Sequence, residues 1–141
     1  MAPEKIFRPH GEFDAKIDGA MLIVTVSGSW NIEMHQESSR RSQPLVEALE
    51  AQGRWGCIVV VTDTLVSSLE VFRAGRKAVE DARGVSRLEA LAWVIAPDVE
   101  GYTLFLPHYR NLYAGLLDSD IFGTLDEARG WMQARLGGSV E

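Results

Sequence analysis

Two adjacent serines, Ser67 and Ser68, are the side chains of this sequence best placed for regulated chemistry. They precede an amphipathic stretch that predicts a helix from about Ser68 to Arg83, so a phosphate there would meet the positive end of the helix dipole. The alternative interpretation is a capping box, in which Ser67 caps the helix and Glu70 completes the motif. Asp63 ends the preceding strand, where α/β proteins often place functional groups, although loop capping explains it equally.

Three cations of the same predicted helix, Arg73, Arg76 and Lys77, have spacings that place them on or near one exposed side, beside Ser67. This surface could receive an acidic partner or a lipid headgroup. The alternative is a solvated face in which Arg76 pairs with Glu80.

Four aromatic residues, Tyr102, Phe105, Tyr109 and Tyr113, recur at spacings of three and four in a third predicted helix. Together with neighbouring leucines they form more apolar surface than one packed stripe needs. Core packing is one interpretation. The others are an apolar ligand groove, a dimer contact and a membrane-facing patch.

The remaining reactive residue types do not form a recognisable catalytic or metal-binding pattern. The histidines, His10, His35 and His108, are far apart in the sequence, and Cys57 begins a buried strand with no cue for thiolate activation. The segment Ser27-Gly28-Ser29 lacks the lysine and the glycine spacing of a phosphate-binding loop. We therefore expect no enzymatic activity, no metal and no cofactor.

Composition indicates one packed domain. The chain has 141 residues, of which 46% are hydrophobic and 24% charged, with a formal net charge of −6. The negative charge argues against a general nucleic-acid binder, and no apolar run approaches the roughly 18 residues of a spanning helix. One cysteine fits a reducing cytoplasm. We expect residues 1–10 to be a tail or an edge segment and residues 11–137 to form a single domain.

The hydrophobic pattern predicts how these residues are positioned. Two strands pair around Asp18-Gly19, and the later strands are Cys57 to Val61, chosen as the sheet centre, Leu88 to Ile95 and Ile121-Phe122. Helices are expected from about Asn31 to Gln52, from Ser68 to Arg83, within Val99 to Leu117 with a break or kink at Pro107, and from Thr124 to Leu136. The second helix should bury Leu69, Phe72, Gly75, Val79 and Ala82. These elements predict a small α/β sandwich with a mixed, mostly parallel sheet and four helices, in the order β-β-α-β-α-β-α-β-α.

This order, the Asp18-Gly19 hairpin leading to the strand Leu22-Ile23-Val24, and the ending from Phe122 to Trp131 resemble the SpoIIAA-like family, which shares the STAS fold of anti-sigma factor antagonists. The resemblance covers roughly Gly11 to Leu136. In the antagonists it implies a phosphorylatable serine within Asp-Ser-Ser-Gly-Leu, whose nearest match here is Val66-Ser67-Ser68-Leu69-Glu70. The SpoIIAA-like branch also implies apolar-ligand or lipid binding.

Two functional hypotheses follow. The first is a non-enzymatic, STAS-like regulatory module that acts by protein association through Ser67 to Lys77, and homodimerisation is compatible with it. The second is a small apolar-ligand or lipid-binding domain whose site lies between the aromatic third helix and the second helix.

Overall fold

The computed structural model describes residues 11–137, so the predicted tail, residues 1–10, lies outside the described residues. The described chain is an α/β fold whose elements follow the predicted order. They are β1 (Glu12–Asp18), β2 (Met21–Ser27), α1 (Ile32–Gln52), β3 (Trp55–Val61), α2 (Leu69–Ala82), β4 (Leu88–Ile95), α3 (Tyr102–Asn111), β5 (Asp118–Phe122) and α4 (Leu125–Arg135).

The five strands form one mixed sheet in the order β1-β2-β3-β4-β5. Strand β1 pairs antiparallel with β2, and the hairpin brings Asp18 opposite Met21 through Gly19, whose φ of 62° favours glycine. The pairs from β2 to β5 are all parallel. The prediction that Cys57 to Val61 forms the central strand is confirmed.

The sheet separates two hydrophobic cores. Right-handed crossovers between successive neighbouring strands place α1, α2 and α3 on one face, which leaves α4 to cover the other. Strand β3 shows the separation, because Cys57 and Val61 belong to the three-helix core whereas Ile58 belongs to the core under α4. Alternate side chains of one strand therefore lie in two different hydrophobic cores.

The core under α4 is closely packed. Ala128 and Met132 of α4 are fully buried against the sheet, and a Cβ added at Gly56 of β3 would lie 2.1 Å from Met132 Sδ. Gly56 thus lets the helix approach the strand more closely than any other residue would allow.

Helix α2 packs much less closely on the opposite face. Its predicted stripe, Leu69, Phe72, Gly75, Val79 and Ala82, was expected to be buried, but α2 contains no buried residue and Leu69 is 59% exposed. Phe72 and Val79 do point inward and pack, half-buried, against the core, so the predicted face is right and its full burial is wrong. Periodicity identifies the face of a helix that points inward, not the distance between the helix and the sheet. The gap beneath α2 forms the site described below.

The helix boundaries differ from the predicted ones in small ways. The N-cap of α2 is Ser68, whose hydroxyl accepts from Val71 N at 3.3 Å, so the expected capping box based on Ser67 is wrong by one residue. Helix α3 continues through Pro107 and does not break there. No helix in residues 11–137 combines the length and the apolar character needed to cross a membrane.

Candidate functional site

A partly enclosed cavity of about 250 Å³ lies between the sheet and its three-helix layer. The middle of the sheet forms its floor, α1 forms one wall, and α2 with the end of α3 forms the roof. Its volume exceeds the roughly 150 Å³ of an engineered apolar cavity that holds benzene, and it is somewhat below the range for drug-sized ligands. The space therefore fits a molecule larger than one aromatic ring.

The floor is apolar and comes from alternate residues of three adjacent parallel strands. These residues are Leu22, Val24 and Val26 of β2, Cys57, Val59 and Val61 of β3, and Trp93 of β4. Phe13 of β1 and Trp30, which follows β2, extend the apolar surface at one end, and their rings meet edge to face at 6.2 Å.

The wall formed by α1 is polar, and the sequence analysis did not identify it. His35, Ser38, Ser39 and Ser42 line the cavity where a helix packed on a sheet would normally present apolar side chains. The Ser38 hydroxyl donates to His35 O at 2.9 Å, and Ser42 donates to Ser38 O at 2.8 Å. The sequence signal that could have identified this polar wall is the recurrence of small polar residues at a spacing that places them on the inward face of the helix.

The roof comes from two helices. Val71, Phe72 and Gly75 contribute from α2, whereas Tyr109, Leu112 and Tyr113 contribute from the end of α3 and the turn after it. Of the predicted groove residues, Tyr109 and Tyr113 therefore line the cavity. Tyr102 and Phe105 do not line it and instead pack, half-buried, against the surrounding core.

Ser67 also lies at the cavity, beside the phenol of Tyr109. Tyr109 Oη donates to Leu65 O at 2.8 Å and interacts with the Ser67 side chain as well. Ser68 caps α2, and Asp63 is exposed near Asp98 and Gly123 at another edge of the sheet. The three residues predicted as one phosphorylation or partner site are therefore divided among three structural positions.

The predicted cationic face is divided too. Arg76 Nη1 donates to Leu112 O at 2.8 Å and to Ala114 O at 3.3 Å, which fastens α2 to the turn after α3. Lys77 is exposed and pairs with Asp81 at 3.3 Å, and Arg73 is exposed. Arg76 also approaches Glu80 at 3.7 Å, as the solvated-face interpretation predicted.

The described residues that line the cavity carry no net charge near pH 7. Among the described residues that line it, none is Asp, Glu, Lys or Arg. Burial lowers the pKa of His35 below its usual value, so the imidazole is uncharged. Burial raises the pKa of Cys57 to about 12, and it raises the pKa of Tyr109 to about 12 despite an opposing contribution from Ser67. Burial, with smaller contributions from Cys57 and Tyr109, also raises the pKa of Tyr113.

Two tryptophans at the cavity have indole N–H groups with no acceptor in the described part of the chain. Trp30 Nε1 and Trp93 Nε1 are both buried without a partner among the described residues, and both side chains line the cavity. Trp55 differs, since its Nε1 donates to Glu50 Oε2 at 2.8 Å. Both indole nitrogens are themselves buried from solvent, so they face packed protein and not the open space of the cavity.

The described residues contain no group of three or more His, Cys, Asp or Glu side chains arranged to hold a metal ion. Comparison with known proteins adds no assignment, because no family model, curated protein or solved structure matches the chain. Membership of the SpoIIAA-like family therefore stays a prediction.

Proposed function

We propose that this protein is a non-enzymatic, cytoplasmic domain that binds a small, uncharged, largely apolar molecule in the cavity beneath α2. The observation that carries the proposal is the cavity itself, which has an apolar floor, a polar wall on one side and no ionised side chain among the described residues that line it. Binding sites for small molecules commonly have this character, with a mostly hydrophobic lining and a few polar groups that orient the ligand.

The energetic cost of the cavity supports the same function. The apolar side chains of the cavity floor lack the packing partners that a filled core would give them, and this loses dispersion energy. A ligand that fills the cavity restores the lost contacts, so the apo fold should gain stability on binding.

The chemistry of the lining residues supports binding in preference to catalysis. A thiol with a pKa of about 12 is protonated at neutral pH and is a poor nucleophile, so Cys57 acts as part of the apolar floor. The phenol of Tyr109 already donates to the Leu65 carbonyl. This hydrogen bond holds Tyr109 in place as part of the cavity roof, so we assign Tyr109 no role in proton transfer.

Native mass spectrometry of freshly purified protein tests the proposal. We expect a non-covalent mass excess that is lost on denaturation, or an apo protein whose thermal midpoint rises when naphthalene is added. The Gly75→Leu protein should show neither effect, because its side chain would occupy the cavity while favouring the helix. A matched variant, Gly130→Leu on the exposed side of α4, should behave like wild type in both measurements.

Protein association is a second candidate, favoured by the exposure of Leu69, Arg73 and Lys77 at the outer side of α2. An exposed leucine beside two cations would suit an acidic partner with an apolar anchor. The double variant Leu69→Ser, Arg73→Ala should abolish such association and leave naphthalene affinity unchanged. The opposite pattern would assign the outer side of α2 to the ligand site.

A further inference from the structure

The hydroxyl of Tyr113, in the roof of the cavity, is unpaired and yet accessible. Tyr113 is only 7% exposed, and its Oη forms no hydrogen bond with the described residues. In that part of the chain, the side-chain polar atoms that are both enclosed and unpartnered are Trp30 Nε1, Trp93 Nε1 and Arg129 Nε. Tyr113 Oη is not one of these enclosed atoms, so a small molecule can touch it.

The accessible side of this hydroxyl lies in the cavity. Tyr113 and Gly75 both line the cavity, and a Cβ added at Gly75 would lie 3.4 Å from Tyr113 Oη. Because glycine has no side chain, α2 fills none of the space beside the hydroxyl at this position. Burial raises the pKa of Tyr113, so the phenol stays protonated. The group therefore presents an O–H donor to the molecule that occupies this space.

The protein holds this donor in one position before a ligand arrives. Arg76 Nη1 donates to Leu112 O at 2.8 Å and to Ala114 O at 3.3 Å. These two carbonyls flank Tyr113 in the turn after α3. The ring of Tyr113 lies nearly parallel to that of Trp93, with an interplanar angle of 8° and centroids 6.4 Å apart. A donor that is already positioned loses little conformational freedom on binding, which favours affinity.

The partner that the donor lacks is an acceptor without a hydrogen of its own. Of the side chains close to the hydroxyl, the thiol of Cys57 is a weak acceptor and the indole of Trp93 is none. An alcohol would bring a hydrogen that these groups accept poorly, whereas a carbonyl oxygen only accepts. A carboxylate would lose its hydration, and the described lining residues offer it no cation.

We propose that the ligand of this cavity is a small neutral carbonyl compound whose oxygen accepts a hydrogen bond from Tyr113 Oη–H. This inference rests on the proposed function, because it specifies the chemistry of the molecule that the same cavity binds. A ketone with one aromatic ring fits the cavity of about 250 Å³, since benzene needs about 150 Å³.

Titration of the full-length protein with two matched probes, followed by NMR, tests the inference. Acetophenone and α-methylstyrene have nearly the same shape, but the carbonyl oxygen of the first is a methylene group in the second. Because water hydrates the two probes differently, both are measured in wild type and in Tyr113→Phe. We expect the ratio of acetophenone affinity to α-methylstyrene affinity to fall about fivefold in Tyr113→Phe, the loss of one net hydrogen bond.

Tyr102→Phe is the matched control. Tyr102 packs, half-buried, against the surrounding core and does not line the cavity, so its variant should keep the wild-type ratio. The carbonyl ¹³C resonance of labelled acetophenone is a direct readout. It should lie further downfield when the ketone is bound to wild type than when it is bound to Tyr113→Phe. If Tyr113→Phe does not fold, acetophenone dissolved in cyclohexane provides the reference position for a carbonyl without a hydrogen bond.

The outcomes separate the two proposals. The carbonyl inference would be overturned by an unchanged ratio in Tyr113→Phe, by an equal fall in Tyr102→Phe, or by a bound carbonyl resonance at its cyclohexane position. Acetophenone binding too weak to measure, beside measurable α-methylstyrene binding, would overturn it too. In each of these cases, binding of α-methylstyrene leaves the ligand-binding function intact. Failure of acetophenone, α-methylstyrene and naphthalene to bind would overturn both proposals.

Discussion

Gly75 in the middle of α2 lies next to the hydroxyl of Tyr113 in the roof of the cavity, and a Cβ added at Gly75 would lie 3.4 Å from Tyr113 Oη. Glycine in a helix interior costs about 0.5–1 kcal/mol relative to alanine. Its backbone φ is not positive, so no turn geometry requires it. Because Gly75 has no side chain, it leaves space beneath the helix, in the part of the cavity that α2 covers.

Replacing Gly75 should therefore change stability and binding in opposite directions. We expect Gly75→Ala to raise the free energy of unfolding by about 0.5–1 kcal/mol, because alanine is the better helix former and the added methyl reaches only van der Waals contact. Affinity for naphthalene should fall by about 1 kcal/mol, roughly fivefold, because the ligand must share its space with the methyl. Urea denaturation and calorimetric titration measure the two effects.

Gly130→Ala in α4 is the matched control for this prediction. A Cβ at Gly130 meets nothing within 4 Å, so the variant should gain similar stability and bind naphthalene like wild type. Unchanged affinity in Gly75→Ala would show that the ligand does not occupy the space beneath α2.

Binding should weaken in mildly acidic solution through His35. Burial lowers the pKa of His35 below its usual 6.5, so the folded protein keeps the imidazole neutral while the unfolded chain takes up a proton near pH 6.5. The free energy of unfolding should therefore fall as pH drops from 6.5 through the lowered pKa. Naphthalene affinity should fall as the folded-state imidazole becomes charged, since the described residues that line the cavity include no counter-ion for it.

His35→Gln separates this effect from other pH-dependent changes in the protein. The variant should bind naphthalene with an affinity that varies less with pH between 7 and 5 than that of wild type. Identical pH profiles for the two proteins would contradict the assignment of His35.

Glu50 should act as a structural anchor between α1 and the loop before β4. Its carboxylate accepts from Trp55 Nε1 at 2.8 Å, from Ser86 Oγ at 2.7 Å and from Arg87 N at 3.0 Å. Partial desolvation opposes ionisation, but these hydrogen bonds outweigh it and hold the pKa of Glu50 below its usual 4.5. This contribution to stability is present above about pH 4.5 and is lost as pH falls through the lowered pKa.

We expect Glu50→Gln to lower the free energy of unfolding at pH 7 by about 1–2 kcal/mol, measured by urea denaturation. The difference from wild type should shrink as pH falls through the lowered pKa of the wild-type carboxyl. Glu47→Gln, an exposed change on the same helix, is the control and should have little effect. A Glu50→Gln penalty that stays constant with pH would reject a charge-dependent anchor.

The two arginines of the predicted cationic face should behave differently. Arg76→Ala removes bonds from its guanidinium to two carbonyls of the turn after α3, so we expect a loss of about 1–3 kcal/mol and faster exchange of cavity ligands. Arg73→Ala should stay within about 0.5 kcal/mol of wild type, because Arg73 is exposed. Equal losses in the two variants would mean that Arg76 does not fasten the roof. Denaturation and stopped-flow release of naphthalene measure these effects.

Much of the fold is predictable from this sequence, because apolar runs and turn residues mark the strands and the hairpin at Asp18-Gly19. The cavity is harder to predict. Tyr109 and Tyr113 were candidate groove residues and do line it, whereas the serines of α1 have no strong motif and gain significance only when the sheet lies opposite them. The distance of α2 from the sheet depends on packing in three dimensions, which a periodic pattern in one dimension does not encode.

The measurement that tests the account most directly is a ¹³C methyl NMR titration of the full-length protein with naphthalene. The two faces of the sheet provide the internal control. We predict saturable shifts for methyl groups on the cavity floor, Leu22, Val24 and Val59, with none for Ile23, Ile58 and Met132 in the core under α4. No shift at naphthalene saturation, or equal shifts on both faces, would contradict a ligand site beneath α2.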